Sequence, residues 1–187
     1  MRALRSFALT LATVLALPAL AATLGDDGLH KTSWMRDTFK DLREDLAEAN
    51  AEGKRLMVLI EQRGCIYCTK MHEEVYPDPT IAKLIEENYF VVQINMFGDV
   101  EVTDFDGEVL PEKKAVMKWG AMFTPTMMFF PEEVPEGTNA KDAAVVMMPG
   151  AFEVGTTGAL LEWVRDHGYE TGENFQKYVA EKANAGQ

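Results

Sequence analysis

Cysteine is scarce in this chain: 187 residues hold two, beside 11 methionines. A secreted scaffold stapled by several disulfides is thereby excluded, and so is a four-cysteine zinc site. Basic charge is also short, with 18 Lys and Arg against 30 Asp and Glu and a formal net charge of −12. Such a field repels phosphate backbones and anionic lipid surfaces, so neither nucleic acid nor a polybasic type of membrane contact suits the chain. Only three histidines occur, His30, His72 and His167, too scattered in sequence for a metal-ligand pattern, and no metal is expected. After the first 20 or so residues no apolar run approaches the roughly 20 residues that a membrane-spanning helix requires. There is no internal repeat.

The N-terminus has a composition of its own. Arg2 and Arg5 precede an apolar run from Phe7 to Leu17, followed by Pro18 and the small-residue stretch Ala19-Leu20-Ala21-Ala22. A positive start, an apolar stretch and an A-x-A site in that order read as an export signal, residues 1–21. The expected compartment is periplasmic. Loss of Arg2 and Arg5 takes the formal charge from −12 to −14. Residues 22–32, with Gly25-Asp26-Asp27-Gly28, read as a flexible leader, and 33–187 as one domain of ordinary size.

Within that domain, Trp34, Phe39, Leu42, Leu46 and Ala49 recur at three- and four-residue spacing, which predicts an amphipathic helix from about Ser33 to Glu52. Arg55 to Glu61 is a short, almost continuously apolar run suited to a strand buried on both faces. A helix from Cys65 to about Val75 follows the turn Gln62-Arg63-Gly64. Asp78 then serves as N-cap with Pro79 in the first helical position. Tyr89 to Met96 predicts a second strand, and Val100 to Val109 a small hairpin turning tightly at Asp106-Gly107. Glu112 to Trp119 is a helix stopped by Gly120. Thr124-Pro125 leads into the strand Met127 to Phe130, Val145 to Met148 adds another, and helices at about 157–167 and 173–182 close the chain. Strands alternating with helices predict an α/β fold with a sheet covered on both faces.

The two cysteines lie three positions apart, in Cys65-Ile66-Tyr67-Cys68. A bond across so short a loop removes little entropy from the unfolded chain, so its purpose is chemical rather than structural. Cys65 stands where a buried strand turns into a helix, and the unpaired N–H groups of that first turn stabilise a thiolate. Its pKa should fall from about 8.5 toward the range of roughly 3.5–7.5 seen for such cysteines, which makes it the nucleophile. Cys68, one turn deeper, resolves the mixed disulfide. Thr69 rather than His follows Cys68, which excludes haem attachment. His72, four residues on, could share their helical side and move a proton, although a solvated histidine is the plainer reading. Met127, Met128, Met147 and Met148 invite a soft-metal site but fall in strands expected to be core.

Strand, Cys-x-x-Cys, helix and a distant Thr-Pro before an apolar strand resemble the thioredoxin superfamily. Within it, Gly64-Cys65-Ile66-Tyr67-Cys68-Thr69-Lys70-Met71 with Glu74-Val75-Tyr76-Pro77-Asp78-Pro79 resembles exported thioredoxins linked to bacterial sulfur oxidation, the SoxW and SoxS type, over about Lys54 to Arg165. The resemblance implies a thioredoxin fold, a central mixed sheet flanked by helices, with an added N-terminal helix, a hairpin insertion and an extra C-terminal helix. It implies a cis Pro125 beside the cysteine pair, with Thr124 aligning a substrate chain. Only an X–Pro bond takes the cis form at a cost as low as about 0.5–1 kcal/mol. It further implies a dithiol reductase with no cofactor beyond its redox-active disulfide, exported protein disulfides as substrates and a membrane thiol donor as electron source. A disulfide oxidase or isomerase, or a chaperone holding copper on the same two thiols, remains open. The buried acid that such reductases carry six residues before the first cysteine is here Leu59, which leaves Glu61 as the nearest strand carboxylate to take up the Cys68 proton.

Overall fold

The computed structural model describes residues 22–185; the expected signal lies outside them. Its first elements are β1 (Thr23–Leu24), β2 (His30–Lys31), β3 (Met35–Arg36) and α1 (Leu42–Ala51). The central strand β4 (Arg55–Glu61) leads through a turn to α2 (Ile66–Lys70), which continues as a π-helical segment, Met71–Val75. Then come α3 (Pro79–Asn88), β5 (Tyr89–Asn95), β6 (Glu101–Thr103), β7 (Val109–Pro111) and α4 (Glu112–Trp119). The C-terminal half holds β8 (Thr126–Phe129), α5 (Ala140–Ala143), β9 (Val146–Pro149), α6 (Val154–Arg165) and α7 (Phe175–Ala185).

The main sheet is mixed and ordered β3-β5-β4-β8-β9. β3, β5 and β4 run parallel, β8 lies antiparallel to β4, and β9 antiparallel to β8. Every residue of β4 is buried, as a strand covered on both faces requires. Its alternation sorts the core. Leu56, Val58 and Ile60 pack with α1, Phe90, Trp119 and Met128 on one face. Met57 and Leu59 pack with Trp34, Met71, Ile85, Phe129 and Leu160 on the other.

Two expectations about the N-terminal part are corrected. The helix predicted from Ser33 starts only at Leu42, because Asp41 caps it by accepting from the Arg43 and Glu44 amides. Ahead of that cap, Met35 and Arg36 pair with Val91 and Val92 as an edge strand, and Phe39, placed on the apolar stripe, is 94% exposed. The segment 22–32, expected as a flexible leader, is an antiparallel ribbon in which Thr23 faces Lys31 and Leu24 faces His30. It is anchored by buried Leu29 and by Lys31 Nζ donating to Gln93 Oε1 at 2.6 Å.

The hairpin forms where expected, but its turn is different. Gly107 bonds back to Asp104 and, at φ 85°, is alone in its turn in taking the left-handed region, whereas a type I′ turn would place two central residues there. Asp104 ties this insertion to the body. Its buried carboxylate accepts from the Phe105 and Ala140 amides, each at 2.7 Å, and from Trp119 Nε1 at 3.0 Å, and it meets Lys118 Nζ at 2.8 Å. Burial alone would lower the Lys118 ammonium, yet its bonds to Asp104, Asp106 and Glu108 hold it above its ordinary value. At the C-terminus α7 docks on α6, with the Phe175 and Trp163 rings 5.5 Å apart.

Candidate active site

β4 ends at Glu61, and Gln62-Arg63-Gly64 turns the chain into α2. Cys65 is the N-cap of that helix: its Sγ accepts the Cys68 amide at 3.0 Å. Cys65 and Cys68 are joined as a disulfide, with Cα atoms 5.2 Å apart. Both are buried, Cys68 the more completely at 1% exposure.

The Thr124–Pro125 loop reaches the same place from the other side of the chain. Thr124 Oγ1 donates to Cys65 Sγ at 3.3 Å, the Thr124 carbonyl oxygen lies 3.5 Å from the same sulfur, and the Thr124–Pro125 bond is cis. The Pro125 carbonyl is occupied by the Gly150 amide at 2.7 Å. Two donors, the Cys68 amide and the Thr124 hydroxyl, thus converge on Cys65 Sγ from two distant segments. Hydrogen bonds of that sense favour a thiolate over a thiol, whereas the Thr124 carbonyl oxygen opposes it.

Ile66, Tyr67, Met96, Met122 and Phe123 line an open pocket with Cys65 and Thr124. Ile66 and Met122 are 74% and 79% exposed, and Phe97, next in sequence to Met96, is exposed as well. Large apolar side chains held in water beside a reactive sulfur form a contact surface for another molecule.

Behind the cysteines a polar cluster is sealed in the core. Glu61 and His72, singled out separately in the sequence, meet here: Glu61 Oε1 and His72 Nε2 are 2.9 Å apart, and both side chains are 1% exposed or less. The solvated reading of His72 is therefore corrected; the partner that permits its burial arrives from a strand eleven residues earlier. Gln93 Nε2 donates to Glu61 Oε2 at 2.6 Å. Tyr76 stands edge-on to His72 at 5.0 Å, Trp34 lies parallel to it at 6.4 Å, and His30 stacks on it at 4.6 Å. Burial pushes the Tyr76 hydroxyl well above its ordinary value. Gln93, Trp34, Tyr76 and His30 were not singled out for this site. Gln93 carried a signal, as a lone polar side chain inside an apolar run covered on both faces.

The methionine quartet is divided by the pleat. Met127 pairs with Met148 and Met128 with Met147, and the two pairs join opposite core clusters. Four thioethers on two faces of one sheet do not converge on one ion. Leu59, in the position where the resembled reductases carry an acid, is fully buried apolar core.

A family profile described as a thioredoxin-like domain matches residues 42–151. The chain belongs to the thioredoxin-like family. Among solved structures it is similar to a thioredoxin-fold protein from Helicobacter pylori, at 15% identity and a TM-score of 0.58, covering 71% of this chain and 86% of that one. It is similar also to a thioredoxin from Thermus thermophilus, at 24% identity and a TM-score of 0.53, with 71% and 90% covered. At such identities the likeness concerns the fold. Comparison with curated proteins gives no match. With its Cys-x-x-Cys pair bonded at the helix N-cap, this thioredoxin-like chain is built as a thiol–disulfide oxidoreductase.

Proposed function

We propose that the chain is an exported dithiol reductase of the sulfur-oxidation-associated type, acting in the periplasm on disulfides of other exported proteins. The observation that carries the reading is Cys65 Sγ at the helix N-cap, receiving the Cys68 amide and the Thr124 hydroxyl. In the reduced form the Cys65 thiolate attacks a substrate disulfide, whose S–S bond breaks as one substrate sulfur leaves as thiolate. Cys68, once deprotonated, displaces the second substrate sulfur from Cys65. Two electrons have then passed from the dithiol to the substrate, and the Cys65–Cys68 disulfide has formed. The Cys68 proton goes to the Glu61–His72 pair. Thr124 and Pro125 align the substrate backbone, while Ile66, Tyr67, Met122 and Phe123 supply apolar contact around the exchanging sulfurs. A thiol pair on a membrane protein returns the dithiol form.

Two measurements test this. Cys68→Ser, expressed with the export route intact, should accumulate mixed disulfides that run as discrete higher-mass species on non-reducing gels and collapse with reductant. Cys65→Ser should trap nothing. Identical patterns from the two variants would remove Cys65 as nucleophile. A reduction potential of the pair near those of disulfide oxidants would turn the assignment from reductase to oxidase or isomerase. Stoichiometric copper retention against a chelator, without insulin reduction, would favour the metal-holding alternative.

A further inference from the structure

The Glu61–His72 pair has an asymmetry that exchange chemistry can use. His72 Nε2 is engaged by Glu61, while Nδ1, equally buried, has no partner. A neutral imidazole that donates Nε2–H to a carboxylate presents Nδ1 as a lone-pair base. His72 stands four residues after Cys68, in the π-helical segment that continues α2, and on a helix that spacing keeps two side chains on the same side. The base is therefore held on the side of the helix that carries the resolving thiol.

What holds that ring in place comes from outside the 42–151 match. His30 lies on β2, and its ring stacks on His72 with centroids 4.6 Å apart and planes 13° from parallel. Its carbonyl accepts Gln93 Nε2 at 2.8 Å, and Gln93 also donates to Glu61, so one amide joins the ribbon to the buried carboxylate. The ribbon touches the active-site turn as well. The Arg63 side chain crosses Gly28, which has φ 74°, and a Cβ there would come within 2.8 Å of Arg63 Cγ. Burial lowers the proton affinity of His30, and the neighbouring His72 acts in the same sense, against the attraction of Glu61 and Glu73. The other titratable or charged groups around the stack are Tyr76, edge-on to His72, and Lys31, held by Gln93.

We propose that His30 is a positioning residue for disulfide exchange: stacked from the N-terminal ribbon, it fixes His72 so that Nδ1 accepts the Cys68 proton. This rests on the exchange reading above. In the step concerned the Cys68 S–H bond breaks, the proton moves to Nδ1, and the thiolate displaces the substrate sulfur from Cys65. The imidazolium so formed is stabilised by Glu61 and afterwards gives its proton up to water.

Equimolar 5-thio-2-nitrobenzoate disulfide (Ellman's reagent) mixed with reduced full-length mature protein separates the steps. A first release of thionitrobenzoate reports attack by Cys65, and a second reports resolution by Cys68. His72→Ala should slow the second release about a hundredfold, the scale of a lost general base. His30→Ala should slow it about tenfold through misplacement of that base, leave the first release unchanged, and move the pH midpoint of the second upward. His30→Phe, which keeps a stacking ring that cannot titrate, should restore the rate to within about twofold. A normal second release in His30→Ala, or a loss that His30→Phe does not repair, overturns the positioning role while exchange itself stands. Normal second releases in both His72→Ala and Glu61→Gln remove the base, and the inference with it. Should the wild type give no first release, or Cys68→Ser give two, the exchange reading fails on its own account.

Discussion

At Asp45, in the first turn of α1, the chain buries a carboxyl whose Oδ2 meets no donor. Burial pushes its pKa up to about 7, and Glu48, Asp41 and Glu44 press the same way, against a hydrogen bond with Thr38. The folded form thus keeps a proton that the unfolded chain releases near pH 4. Between about pH 4 and 7 the folded state holds the extra proton, so this residue makes stability fall as pH rises across that window. Asp45→Asn should abolish that slope and raise stability at pH 7 by about 1–2 kcal/mol, the scale of an uncompensated buried polar group. Urea unfolding of both proteins at pH 4.5 and pH 7 checks it; an equal or lower midpoint for the variant at pH 7 refutes it. The same scale shows what the sequence could and could not tell. Cys65, Cys68 and the Thr124–Pro125 pair were legible because spacing and residue type carry their chemistry. Glu61 was legible as a carboxylate but not as a partner of His72, since their meeting depends on the packing of the π-helical segment Met71–Val75 against β4.

Among the elements, the short ones escaped sequence reading. β3 has two residues and no periodicity of its own; it exists because Met35 and Arg36 find β5 already in place. The ribbon is hidden in the same way, its anchors Leu29, His30 and Lys31 being defined by Gln93 and the core beyond. By contrast, α3 begins at Asp78 and Pro79 and α4 stops at Gly120, as local chemistry dictates. The β6–β7 hairpin is held to the body by the Thr103 amide on the Lys40 carbonyl, by buried Val102 and Phe105, and by the contacts of Asp104, whose role no local pattern announces. Asp104→Ala would leave the Trp119 indole and two amides without their acceptor, and Lys118 with only Asp106 and Glu108. A loss of about 3–5 kcal/mol is expected, the usual result of breaking a buried pair from one side. Asp104→Asn, which keeps one acceptor oxygen, should lose less. Equilibrium unfolding of the two variants, read with the m-value, decides between this and a hairpin that merely decorates the surface.

On the scale of the whole molecule, a formal net charge of −12 accompanies an apolar patch at the redox centre. The patch selects by contact, and the field selects by approach. Cystine peptides of basic composition should therefore be reduced several-fold faster than acidic ones of the same length at low salt. The gap should close as ionic strength rises past 0.1 M, where the screening length is about 10 Å. Stopped-flow rates for the two peptides over a salt series measure this, and equal rates at low salt would refute it. Among the described residues no helix is long and apolar enough to cross a membrane.

The central position of β4 also sets an order of assembly. Its parallel neighbour β5 lies 34 residues on, Met57 opposite Val91, while its antiparallel neighbour β8 lies 70 residues on, Val58 opposite Met128. Each doubling of a loop costs only about 0.6 kcal/mol in closure entropy, yet distant pairings still form late because nothing rewards them until both ends are structured. Cys65 and Cys68 need no such closure to meet, whereas Thr124, which donates to Cys65, arrives only with β8. The newly made chain can therefore carry its sulfur–sulfur bond well before it has the loop that will govern the use of that bond.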